Sequence, residues 1–249
     1  MIDRRSLLAG IPAAALLSTA ARAQGSFPDH TVRYIVPFPP GGLTDIMARL
    51  VGQKLSEIWA KPVIIENRAG GNALIGADAA AKSAPDGYTL LAITMTHTVN
   101  ATLFPNAPFN FRQDLTTVSV LGSLPLVVVV NAEKNPSRTL ADLMTRARTE
   151  RMNAGSSGNG SPPHLGLELL RIAARAGDNL QHVPYRGGAP VITDLVAGNI
   201  DFVVANLPEC IAQVQAGTLR PLAITSAERH PLLPAVQTVR ELGQPGLEM

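Results

Sequence analysis

The chain has 249 residues with 21 Lys+Arg against 19 Asp+Glu, 16% charged and 46% apolar residues, a composition that folds into a globular body and excludes a disordered or fibrous one. No Lys/Arg cluster stands out and the aromatic residues (4%) are scattered, so a base-stacking nucleic-acid surface has no support and none is expected. Asp3, Arg4, Arg5 and Arg22 lie within the first 23 residues; without that leader 18 basic residues face 18 acidic ones, and the net charge of +2 falls to zero.

Arg4-Arg5 open the leader, residues 7–20 form an uncharged stretch too short to span a bilayer, and Ala21-Arg22-Ala23 supplies an A-x-A cleavage signal. Residues 1–23 therefore read as an export signal peptide, by the Tat or the Sec route, and the mature protein is expected in the periplasm. No later segment is long and apolar enough to cross a membrane as a helix. Cys210 is the only cysteine, which rules out an intramolecular disulfide and reads as a small buried apolar residue.

Beyond the leader, strand and helix patterns alternate. Apolar or β-branched runs predict strands over residues 32–36, 62–66 and 88–94, and helical spacing predicts helices over 44–59 and 74–82. Residues 104–113, with Pro105, Pro108 and three phenylalanines, break the rhythm and are expected to cross into a second lobe. There the continuous apolar run 126–130 predicts a strand buried on both faces, and a helix follows the Thr139 cap. Further helices are expected over 161–176, 189–197 and 207–216, and strands over 180–183, 202–205 and 219–225. This order predicts an α/β protein of two lobes, each a mostly parallel sheet flanked by helices. The first lobe is expected over 24–103, the second over 114–225, and residues 226–249 are expected to return toward the first.

In open α/β sheets ligands lie beyond the carboxyl ends of the strands, so the strand-to-helix turns are the places to look. The first, Phe38-Pro39-Pro40-Gly41-Gly42-Leu43-Thr44-Asp45, sets two glycines before a helix, whose free N–H groups and partial positive charge suit a carboxylate. Such an end contributes about 0.3–1 kcal/mol per exposed interaction. Asp45 either caps the helix and pairs with Arg49 one turn on, or touches the ligand. The second turn carries Gly70, Gly71 and Asn72, the third Thr96 and His97, and the fourth Ser156, Ser157, Asn159, Ser161 and His164 among glycines. In the fourth, small hydroxyls offer neutral donors, with Ser161 as helix cap and Pro162 at the first helical position.

Enzymatic readings fare worse. Asn159 stands where a G-x-S-x-G elbow needs its last glycine, the dinucleotide fingerprint lacks its third glycine, and no G-K-[ST] loop occurs. The five histidines show no H-x-x-x-H pair, so neither a metal nor a cofactor is expected. A hydrolase built on Ser157 and His164 lacks a group to orient its base.

The stretches PFPPGGLTDIMAR, ENRAGGNALIGAD with PDGYTL, GSSGNGSPPHLGLELL, VPYRGGAPVITDLVAGNID and NLPECIAQVQAGTLRPLAITS together resemble the Bug family, the periplasmic receptors of tripartite tricarboxylate transporters. The resemblance implies a two-lobed, type II-like periplasmic binding protein, not an enzyme, that closes on a small carboxylated solute gripped by the Pro-Gly-Gly and second glycine turns. It brings Tyr185 and Asn206, which stand in the shared motifs, into the expected site. The implied partners are membrane permease subunits or, in a signalling reading, a sensor kinase. Two departures bear on the ligand: the second turn reads Ala69-Gly70-Gly71-Asn72-Ala73, and Ala205 stands where the family commonly has an aspartate, which disfavours an amine-bearing solute. Family members continue roughly a quarter further than Met249, so the first lobe is expected to be incomplete, with a monomer expected for a full-length chain.

Overall fold

A computed structural model describes residues 27–249. The export signal expected over 1–23 lies outside the described residues. The first lobe runs β1 (Val32–Val36), α1 (Leu43–Trp59), β2 (Val63–Asn67), α2 (Leu74–Ala81), β3 (Thr89–Leu91) and α3 (Met95–Leu103). Its three strands are parallel in the order β2-β1-β3, so β1 is central, with Val32, Ile35 and Val36 fully buried. Helix α1 lies close on the sheet because Gly52 has no side chain: a methyl group there would stand 2.9 Å from Ile65 Cδ1. The core beneath is small, with Tyr34, Val36, Ala48 and Ala92 at its centre.

Two expectations change at the end of this lobe. The strand expected over 88–94 stops at Leu91, and the polar run after it is not a turn but helix α3. Thr94 is the reason: its hydroxyl accepts from Thr96 N–H while His97 reaches back to Thr94 N–H, a reciprocal cap that starts a helix at Met95. The link to the second lobe runs from Phe104 to Pro125 without helix or strand, and so extends past the expected crossing.

The second lobe runs β4 (Leu126–Asn131), α4 (Leu140–Thr149), β5 (Met152–Ser156), α5 (Pro162–Ala174), β6 (Leu180–Pro184), α6 (Gly188–Ala197), β7 (Phe202–Asn206), α7 (Leu207–Gln215) and β8 (Leu219–Ile224). The sheet order is β6-β5-β7-β4-β8, with β4 antiparallel to both its neighbours. All six residues of β4 are buried, and a run apolar on both faces carries no mark of its direction. Strand β5 is an addition, since Asn153-Ala154-Gly155-Ser156 has the composition of a turn. Gly155 is there for packing: a methyl group on it would collide with Val191 of α6 and Ile200.

Residues 226–249 do not return toward the first lobe. They fold onto the second, where Thr238 bridges the free edge of β8 at Ile224 and Met249 N–H donates to Thr225 O at 3.1 Å. Val239 and Leu247 enter the core on the α4–α5 side, and Leu233 joins the core on the α6–α7 side. The physical reason is that β8 ends the sheet: the backbone of Gln237 and Val239 pairs with Ile224 on its free edge, while the apolar side chains fill the cores on its two faces.

Candidate functional site

The turns after β1 and β2 meet those after β5, β6 and β7 along the seam between the lobes, and this seam is the crevice in which a ligand of such a fold lies. On the first lobe, Gly41 adopts φ +82°, a left-handed backbone that admits glycine without strain, and Gly42 begins α1 with no capping side chain of its own. Phe38 and Thr44 are half-buried and Pro40 is exposed. Asp45 is only 3% exposed and fully engaged: its carboxylate accepts from Gly41 N–H (3.0 Å), Arg49 Nε (2.9 Å) and Asn67 Nδ2 (2.8 Å). Burial works to raise its pKa, but the bonds from Arg49, Gly41 and Asn67 outweigh it and hold the carboxyl below its ordinary value. Asp45 thus fastens the first turn to β2, the structural alternative of its two readings.

The second turn holds Gly70 (φ +128°), Gly71 (+54°), Asn72 (+54°) and Ala73 (+71°), four successive residues with positive φ. Asn72 and Asn100 lock it: Asn72 Nδ2 donates to Asn100 Oδ1 and Asn100 Nδ2 to Asn72 O, each at 2.7 Å. Thr96 and His97 are buried on α3. Nδ1 of His97 lies 3.2 Å from Thr94 N and 3.3 Å from Thr94 O, so Thr94 engages that nitrogen in either tautomer, and Nε2 is buried without a partner. Burial lowers the His97 pKa to about 4, so the ring is neutral. It sits edge-on to Phe38 and lines a cavity of about 170 Å³ with Leu74, Asn100, Phe104, Phe111 and Arg112.

On the second lobe, Ser156 is fully buried and hydrogen-bonds His182 Nε2 at 2.6 Å, while Ser161 caps α5 and donates to Gly158 O. His164 accepts from Gly160 N–H and stacks on His182 at 4.1 Å. Burial first, then His164, lowers the His182 pKa to about 4. Serine chemistry therefore pairs Ser156 with His182, inside the lobe, and not Ser157 with His164. Ser157 is half-buried and Asn159 exposed. Tyr185 departs from expectation: its hydroxyl donates to Asp194 at 2.6 Å and its ring packs in the α6–α7 core, so that side chain is spent on its own lobe. Cys210 is buried, as read, with its thiol pushed up to about 12 by burial.

The two lobes touch through these turns. Gly41 approaches Ala189 and Gly187 approaches Pro39, where added methyl groups would meet at 3.6 and 3.3 Å. A methyl group on Gly158 would lie 3.5 Å from Asn72 Oδ1. The start of α1 is itself occupied: Leu43 N–H donates to Glu209 Oε1 at 2.9 Å, and Asn206 Nδ2, at the cap of α7, donates to Glu209 Oε2 at 2.9 Å. Sequence reasoning missed Gly187-Gly188 and Glu209. The glycine pair carried a usable signal, two glycines between a strand and a helix; an acid in a first helical turn is ordinary and carried none.

Two α/β lobes facing one another across a crevice lined by strand-to-helix turns define a two-lobed solute-binding protein. Residues 47–249 match the family model described as tripartite tricarboxylate transporter family receptor. Protein BugT of Bordetella pertussis is 39% identical over 223 residues, covering 88% of this chain and 68% of BugT. A UPF0065 protein from the tcbD-tcbE intergenic region of Pseudomonas sp. (strain P51) is 39% identical and covers the whole chain and 74% of that protein. Among solved structures, MatC from Rhodopseudomonas palustris with bound malate is 29% identical with a TM-score of 0.81, covering 90% of this chain and 76% of MatC. The R. palustris protein Rpa4515 with adipate is 34% identical with a TM-score of 0.81, covering 90% of this chain and 75% of that one. The chain belongs to the tripartite tricarboxylate transporter receptor family; it is a solute-binding receptor and not an enzyme.

Proposed function

We propose that this receptor works in the periplasm, closes on a small solute bearing at least one carboxylate, and presents it to the permease subunits of a tripartite transporter. The observation that carries the carboxylate is local: a carboxylate, that of Glu209, already sits against the uncapped start of α1 at Leu43 N–H. In this reading Gly41, Gly42, Gly70, Gly71 and Asn72 supply the first lobe's share of the site, and Ser157, Asn159 and Asn206 the second's. The malate and adipate held by MatC and Rpa4515 support the same chemistry.

A thermal-shift screen of malate, adipate, citrate, glutamate and benzoate tests it. A true ligand at ~100 times its Kd adds ~2.7 kcal/mol, which raises Tm by roughly 5–10 °C for a chain of this size. A protein that melts cooperatively and shifts with none of these carboxylates refutes the reading.

A further inference from the structure

We infer that Glu209 determines which solutes the crevice admits: its carboxylate, reaching from the second lobe, holds the start of α1, so a solute carboxylate reaches those N–H groups only by displacing it. The inference rests on the carboxylate-binding reading above.

Three observations place Glu209 as a latch between the lobes rather than as a surface acid. Its two oxygens bond in opposite directions, Oε1 to Leu43 N–H of the first lobe and Oε2 to Asn206 of the second. Gly188 makes room for it: a methyl group on this first residue of α6 would collide with the carboxyl group, and Gly42 lies beside Oε1, where a methyl group would be in ordinary contact at 3.5 Å. The carboxyl therefore lies among the starts of α1, α6 and its own helix α7, a convergence of partial positive charge that suits an anion. Among the described residues it has no Lys, Arg or His partner; the nearest charged pair on α1, Asp45 with Arg49, is closed on itself. Burial pushes its pKa up against the bonds from Leu43 and Asn206, as expected of an anion without a cation.

The consequence is selectivity. A solute that offers only one carboxylate exchanges like for like, trading the Leu43–Glu209 bond for its own, and gains little. A solute with a second polar end gains additional contacts on displacing Glu209 and is retained. Binding strength is thus set by the difference between solute and latch, not by the number of donors in the turn.

The test uses the full chain, with malate and adipate as dicarboxylate probes and acetate and butyrate as monocarboxylates. Glu209→Ala should bind each probe about tenfold or more tightly than the wild type by calorimetry, and monocarboxylate binding should appear. Independently of any ligand, X-ray scattering should show the unliganded Glu209→Ala protein to be more extended than the unliganded wild type. Gly188→Ala, which keeps the acid but fills its seat, should show the same opening and serves if Glu209→Ala does not fold. Unchanged or weaker probe binding by a folded Glu209→Ala variant overturns the inference, as does unchanged scattering in both variants. Failure of wild type and variant alike to bind any probe defeats the functional reading; the scattering result then still decides whether Glu209 is a latch.

Discussion

Replacing Asp45 with alanine should cost about 3 kcal/mol and most of the solute affinity. The carboxylate accepts three hydrogen bonds, but they do not weigh equally. Arg49 is 54% exposed, so its bond contributes ~0–1 kcal/mol after solvent screening. Gly41 N–H and Asn67 Nδ2 are the expensive ones, because removing the acceptor leaves the glycine donor unpaired and leaves the Asn67 Nδ2 donor with Phe38 O alone. Bonds to a charged group contribute ~1.5–3 kcal/mol each, and entering water recovers part of that, which leaves about 3 kcal/mol. Urea unfolding followed by circular dichroism measures the loss, and calorimetry with malate measures the affinity. The pH dependence has a definite sign: the folded pKa of Asp45 is depressed, so its contribution is full above its unfolded value of about 4 and is lost as pH falls through the folded pKa. A loss under about 1 kcal/mol, with the acid limb of the stability curve unchanged, would refute the assignment of Asp45 as the fastener of the first turn.

Gly41→Val should lose most solute affinity in a folded protein, since a β-branched residue resists φ +82° and its side chain points at Ala189 across the crevice; unchanged calorimetric affinity counts against the site. Buried neutral His97, with its pKa near 4 against about 6.5 unfolded, makes stability decline as pH falls from about 6.5 toward 4, by on the order of 3 kcal/mol; His97→Gln should flatten that limb, and parallel melting profiles for the two proteins would contradict it. Backbone amides of β1–β3 should exchange faster than those of β4, β5 and β7, because the first lobe centres on four buried apolar residues and exposes Leu50, Ile58, Ile64, Ile75 and Ile93; equal protection in hydrogen-exchange mass spectrometry would show the small core to be sufficient.

Much of the fold was legible because burial writes itself into sequence. Strand β1 and helix α1 fell within a residue of their expected bounds, since a both-faces-buried strand and an amphipathic helix have distinct periods. Strand β5 was not legible: the close approach of α6 demands Gly155, and small residues required by packing look like small residues required by a turn. Residues 95–100 failed for a related reason, since Thr, His and Asn read as loop chemistry until Thr94 and His97 are seen to cap one helix reciprocally. The glycine turns of the site were legible through the positive φ they permit. Glu209 was not, because its partner Leu43 lies 166 residues away and nothing local to either residue records the meeting.

The materials of the crevice also explain why its class is easier to read than its solute. In the proposed site the first lobe's share is built from glycine turns, fastened from behind by Asp45, which takes Gly41 N–H, and by Asn100, which bonds Asn72 O. Backbone donors sense charge and distance and are blind to whatever lies beyond the carboxylate. The second lobe adds small neutral groups near Ser157 and Asn159, which also accept many partners. Discrimination must therefore arise where a side chain makes a demand of its own. In the proposed site Glu209, which already holds Leu43 N–H, makes that demand: it must be displaced. Under that proposal the demand penalises the wrong solute more than it rewards the right one, which is how a crevice built from generic donors becomes selective.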